Sequence, residues 1–220
     1  MEKRKIIFGD YDTALHGPWT LGPWSFPEPE PQENLVTVPG KDGPLDLSTV
    51  LTDGEPVYGP RKLTASLECS EGTRLDREAM ISAMVNQLDG RRMNIILPDD
   101  PTRYITGKVR VKKEYNDPAH AAVTVTAACE PWRFNALETR ILLVASASER
   151  LSVLPNTGRR VVIPEVVATG ALVVLSTEEY TWDLTPGTYK LPELKLKPGN
   201  MAVTYSGSGT VAFSYREAVL

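Results

Sequence analysis

Apolar and polar positions alternate with a period of two through much of the chain, the spacing of half-buried strands. Leu63, Ala65 and Leu67 share one face, and Lys62, Thr64, Ser66 and Glu68 share the other. Arg91 to Leu97 reads as another strand, stopped by Pro98-Asp99-Asp100-Pro101. Two longer strands, Tyr104 to Tyr115 and Ala121 to Trp132, flank Asn116-Asp117-Pro118-Ala119, which predicts a long hairpin. In the first, Val109 and Val111 face one side and Lys108, Arg110 and Lys112 the other. In the second, Val123, Val125, Ala127 and Cys129 alternate with Ala122, Thr124, Thr126 and Ala128. The period changes once. Met80, Ala83, Met84 and Leu88 recur at helical spacing, Thr73 or Asp76 can cap the start, and Gly90 closes the end, predicting a helix over Asp76 to Asp89.

Prolines 18, 23, 27, 29 and 31 exclude a helix or a central strand between them and predict an extended arm or surface crossing. Trp19, Trp24 and Phe26 within it either pin it to its own domain or dock on a neighbouring subunit. The texture changes near Asn135 to Thr139, dividing the chain into domains 1–136 and 137–220. Past it come short strands near Arg140–Val144, Arg159–Ile163, Glu165–Thr169, Leu172–Ser176, Tyr180–Leu184, Thr188–Leu191, Met201–Tyr205 and Thr210–Tyr215. Pro186-Gly187, Pro198-Gly199-Asn200 and Ser206-Gly207-Ser208-Gly209 punctuate them. Strands this short and this regular predict a β-sandwich. The fold class is thus mainly β: an amino-terminal sandwich-like domain with one helix and a long hairpin, then a second sandwich.

Composition narrows the chemistry. A net charge of −4 and a pI near 5.4 argue against nucleic-acid binding and offer no polybasic cue for membranes. The charged start, Met1 to Lys5, is followed by too few apolar residues for a signal peptide, so folding in a cytoplasm is expected. Cys69 and Cys129 are two small apolar strand residues, or else a disulfide or metal pair. His16 and His120 sit in loop contexts with no partner at metal spacing. The carboxylate pairs Asp99-Asp100 and Glu178-Glu179 are adjacent residues that point apart, unlike glycosidase acids. No phosphate loop or nucleophile elbow occurs, so no enzyme, cofactor or metal site is expected. Tyr180, Trp182 and Tyr189 could stack a sugar, giving a carbohydrate-binding module as the alternative reading, or could fill the core.

One segment is more specific. Pro39-Gly40 and Asp42-Gly43 build two tight turns in five residues, after which Leu45 and Leu47 are expected to bury while Asp46 and Ser48 face out. The whole stretch, Val36-Thr37-Val38-Pro39-Gly40-Lys41-Asp42-Gly43-Pro44-Leu45-Asp46-Leu47-Ser48, resembles a signature of the distal tail proteins (Dit) of phages with long flexible tails. Tyr58 to Leu63, Asn86 to Gly90, Asp99-Asp100-Pro101, Tyr104 to Val109, Asn156-Thr157-Gly158 and Tyr215-Arg216-Glu217 resemble the same family in order. Lys41 stands where the family usually has arginine, and Ala218 where a glycine is expected.

The resemblance implies a structural hub at the virion tail tip, assembled in the host cytoplasm. Six copies would form a ring joining the tail tube protein to a tail-associated or tail fibre protein. The amino-terminal domain would make the ring, and a galectin-like carboxyl-terminal domain would lie outside it. The signature turn (Pro39, Gly40, Asp42, Gly43, Leu45, Asp46 and Leu47) is either a structural turn or also a subunit contact. The Tyr104–Trp132 hairpin offers strand edges for pairing across subunits, and Lys108, Arg110 and Lys112 are candidate contact residues, or else a solvated basic face.

Overall fold

The computed structural model describes residues 4–50, 52 and 54–220, so the first three residues of the charged start lie outside it. The chain divides into two units, one running to Arg133 and rejoined by Leu220, the other from Phe134 to Val219.

The first unit is built on one antiparallel sheet. Its strands are β1 (Ile7–Phe8), β2 (Tyr11–Asp12), β3 (Thr20–Ser25), β6 (Arg61–Cys69), β7 (Arg92–Leu97), β8 (Asp100–Asn116) and β9 (Ala121–Asn135), in the order β2-β1-β7-β8-β9-β6-β3. A separate two-stranded ladder, β4 (Leu35–Val36) with β5 (Leu45–Asp46), stands apart. The alternation read from β6 and β9 is kept. Leu63, Ala65, Leu67, Val123, Val125 and Ala127 are buried on one face. Helix α1 (Arg74–Leu88) adds Ile81, Met84 and Leu88 to the same core. It starts two residues before the expected position, because Thr73 accepts from the Asp76 N–H while Asp76 accepts from the Thr73 N–H, a reciprocal capping box. Ala83 faces solvent, and the buried stripe runs Arg77, Ile81, Met84, Leu88.

Arg77 can be buried because four of its five N–H donors are met. Its guanidinium donates to the carbonyls of Gly72 (2.7 Å), Asp117 (2.7 Å) and Pro118 (3.1 Å) and to Asn116 Oδ1 (3.3 Å). One helical side chain thereby holds the turn between β8 and β9. Arg61 does the same at the other end of the sheet, donating to the carbonyls of Pro27 (2.7 Å), Phe26 (3.3 Å) and Pro131 (3.4 Å) and lying 3.7 Å over the Phe26 ring. The proline-rich segment supplies the edge strand β3, whose pairing with β6 breaks register between Leu21 and Trp24, where Gly22-Pro23 intervenes. Trp19, Trp24 and Phe26 pack on this unit's own core. Cys69 and Cys129 are free and buried at opposite ends of the β6–β9 ladder, about 26 Å apart by strand rise, beyond disulfide reach.

The second unit contains β10 (Thr139–Ala145), β11 (Arg150–Asn156), β12 (Glu165–Ser176), β13 (Thr181–Leu184), β14 (Gly187–Lys190), β15 (Gly199–Tyr215) and β16 (Ala218–Val219). Two expected strand pairs are single long strands. Glu165–Thr169 and Leu172–Ser176 fuse into β12, and Met201–Tyr205 and Thr210–Tyr215 into β15. Ser206 to Gly209 is therefore not a turn between strands. It is a corner inside β15, where Gly209 faces Gly170 and Gly207 faces Val173 across the ladder. The backbones approach so closely that a Cβ on Gly209 would sit 1.9 Å from the Thr169 carbonyl oxygen, and one on Gly207 would sit 2.2 Å from that of Leu172. Only glycine allows this approach, and Gly170, Gly207 and Gly209 all have φ between +92° and +150°.

At the corner β12 carries one extra residue, Ala171, so its buried positions change from Val166 and Ala168 to Val173 and Leu175. β15 carries none and buries Val203, Tyr205, Val211, Phe213 and Tyr215 on one face throughout. The sheet curls around that face. Arg159 to Ile163 is not a strand; only Val162 bridges, to Leu196. β11 was not expected, and it lies along the first half of β15 as an edge with Leu151 outward.

Four substitutions have expected outcomes. Arg77→Met leaves four acceptors without a donor and should cost about 3 kcal/mol in urea unfolding, with the change in midpoint read by circular dichroism. Gly209→Ala should abolish the thermal transition of the second unit. Gly199→Ala, with positive φ but nothing within 4 Å, should cost only about 1 kcal/mol. Burial pushes the Cys129 thiol up from 9.0 to about 11. The folded chain favours the protonated thiol, so this contribution to stability is complete below about pH 9 and is lost as pH rises toward 11. Cys129→Ala should flatten the alkaline fall in melting temperature over that window.

Candidate functional site

Residues 27–57 leave the sheet at β3 and return to it at β6. At the root, Pro31 bridges Tyr58, Gln32 N–H donates to the Val57 carbonyl (2.7 Å), and Gly59 N–H donates to the Glu30 carbonyl (2.8 Å). Tyr58 meets Trp132 edge-on, with centroids 5.8 Å apart. Farther out, Leu35 pairs with Asp46 and Val36 with Leu45. Leu47 N–H donates to the Asn34 carbonyl (2.8 Å), and Asn34 N–H to Ser48 Oγ (2.7 Å). Asp46 Oδ1 accepts from the Ser48 N–H at 2.8 Å, and hydrogen bonds from the Ser48 side chain and then from that N–H hold the Asp46 carboxyl below its ordinary value. The signature turn thus closes a hairpin. Gly40 and Gly43 have φ of +81° and +77°, and nothing lies within 4 Å of a Cβ built on either, so backbone conformation alone requires glycine there.

The hairpin has no core of its own. Leu45, expected to be buried, is 37% exposed, and Leu35 is 50% exposed. Val36, Val38, Val50 and Val57 are exposed as well. None of these side chains joins the buried cluster of the first unit. The period-two pattern that marks Leu45 and Leu47 for burial is therefore only partly satisfied within one copy. A two-stranded hairpin with this much uncovered apolar surface is marginal alone.

The arm is also acidic. Seven carboxylates (Glu28, Glu30, Glu33, Asp42, Asp46, Asp53 and Glu55) stand against one cation, Lys41, giving residues 27–57 a charge of −6. The chain as a whole carries −4, so everything outside the arm sums to +2.

Lys108, Arg110 and Lys112 project from β8 on the side away from the core, where Val109 is buried. Arg110 pairs with Asp89 (3.3 Å) and Lys112 with Glu114 (3.0 Å). Lys108 is in no ion pair among the described residues. Its register partner Arg92 is tied to Glu130. The edges of the long hairpin are largely occupied, since β7 covers β8 from Asp100 to Lys108 and β6 covers β9 from Ala121 to Cys129. What this hairpin offers outward is its face and the end of β8, not a free edge along its length.

Other side chains singled out in the sequence have local work. His16 Nδ1 accepts from the Asp12 N–H (3.1 Å), and its ring stacks on Tyr11. His120 sits edge-on to Tyr115. Asp100 is flanked by Arg103 (3.1 Å) and Arg133 (3.7 Å). Trp182 packs against the core of the second unit, with Tyr180 stacked on it, and the Tyr189 hydroxyl donates to the Thr185 carbonyl (2.9 Å). Asn156-Thr157-Gly158 and Glu217, far apart in sequence, meet: Glu217 accepts from the Thr157 N–H (2.9 Å), its hydroxyl (2.8 Å) and Asn135 Nδ2 (3.2 Å). A Cβ on Gly158 would lie 2.5 Å from the Ala218 carbonyl oxygen.

No family model and no curated protein matches the sequence. Among solved structures, the chain is similar to the SPP1 Dit (gp 19.1) protein, described as a paradigm of the hub adsorption apparatus in phages that infect Gram-positive hosts. The two are 14% identical and superpose with a TM-score of 0.68, over 96% of this chain and 98% of the other. At that identity the likeness is one of fold, and it runs through both units: the chain has the fold of a phage Dit protein.

Proposed function

We propose that this chain is the structural hub of a phage tail tip and performs no catalysis. Six copies form a ring that joins the tail tube protein to the baseplate, through a tail-associated or tail fibre protein. The likeness of fold to SPP1 Dit over nearly the full length of both chains carries this reading. The signature turn supports it independently, since it closes an arm whose apolar side chains a single copy leaves exposed. The ring is made by the first unit. The second unit, a curled sandwich of galectin-like type, lies peripheral to it. Lys108, Arg110, Lys112 and the turn from Pro39 to Leu47 belong to the subunit contact. The chain is assembled in the host cytoplasm and resides at the tip of a long flexible tail.

A closed ring needs head-to-tail contacts whose rotation returns to the start. Six subunits of 24.2 kDa give a particle of about 145 kDa. Mass measurement in solution, alone and with the tail tube protein, should find that mass, and negative-stain images should show annuli. A chain that stays at 24.2 kDa in both settings refutes the hub.

A further inference from the structure

We propose that the acidic arm of one copy docks on the basic β8 face of the next. This rests on the hub reading and names the two surfaces that meet. The arm concentrates −6 in residues 27–57, whereas the rest of the chain sums to +2. A second copy of the same chain is thus a partner of complementary charge. On that copy, Lys108, Arg110 and Lys112 form an exposed row, with Lys108 unpaired among the described residues. The arm's carboxylates at Glu30, Glu33, Asp42 and Glu55 are in no ion pair among the described residues either, and the neighbouring Val36, Val38 and Leu45 side chains stand uncovered. Charge brings the arm to the strand, and burial of its apolar side chains holds it there. The two surfaces differ, so the contact is heterologous, as ring closure requires.

Charge exchange between two variants tests this. One carries Glu30→Lys, Glu33→Lys, Asp42→Lys and Glu55→Lys, which take the arm from −6 to +2; the other carries Lys108→Glu, Arg110→Glu and Lys112→Glu on the strand. Asp46 is left alone because it holds the Ser48 N–H. Circular dichroism and thermal melting first check that each is folded. Each variant alone should associate about tenfold more weakly, or worse, than the native chain. Mixed in equal amounts they should recover rings, because each arm then meets a strand of opposite charge and a six-membered ring closes with alternating copies. Native association should also weaken as salt rises from about 50 mM to about 500 mM. If the native chain forms rings and either variant alone does so equally well, or the mixture fails to recover them, the docking is wrong while the hub stands. If the native chain stays monomeric at low salt, alone and with the tube protein, both fall.

Discussion

Buried backbone carbonyls must be given donors, and in the first unit two arginines inside the protein provide them where no strand can. Arg77 fastens the β8–β9 turn to the start of the helix, and Arg61 fastens the proline-rich segment to the sheet. Prolines cannot donate to a ladder, so past Ser25, the last residue of β3 paired with β6, the stretch through Phe26 and Pro27 relies on its aromatic contacts and on Arg61. Because Arg61 grips it at the point where residues 27–57 depart, the arm begins from a fixed place. Lysine could not substitute, since the planar guanidinium reaches three carbonyls and covers the Phe26 ring at once.

The second unit obeys a different constraint. Its two longest strands turn a corner without ending, and the turn is possible only because three glycines remove every side chain from the point of closest approach. The single extra residue in β12 keeps apolar side chains inside on both sides of that bend. Away from the corner, Glu217 ties Thr157 and Asn135 together, so the motifs near the carboxyl end act as internal fastenings.

Much of this was legible in the residues. The strands β6, β8 and β9 and the helix carry clean periods, because one face of each is covered and the other wet. Arg77 was not readable as a core residue, since its burial depends on carbonyls some forty residues away. Ser206 to Gly209 reads as a turn from local composition, and only the partner strand reveals it as a corner. β11 escaped notice because it is an edge strand whose Leu151 and Val153 point outward, and because it contains Pro155. At the candidate site, glycine and proline disclosed the turn and alternation disclosed the apolar side of the hairpin. Neither could disclose that one copy leaves that side only partly covered, because a pattern records which residues seek cover and not what supplies it.

The charge gathered in the arm also decides which encounters fail. Two arms meeting tip to tip would bring together a net charge of −6 from each copy, and such like-with-like pairs are disfavoured before any contact forms. In the proposed ring, that repulsion would steer the chain from a closed twofold pair toward one-directional growth, so that polarity would be imposed by a surface too small to hold the ring together unaided.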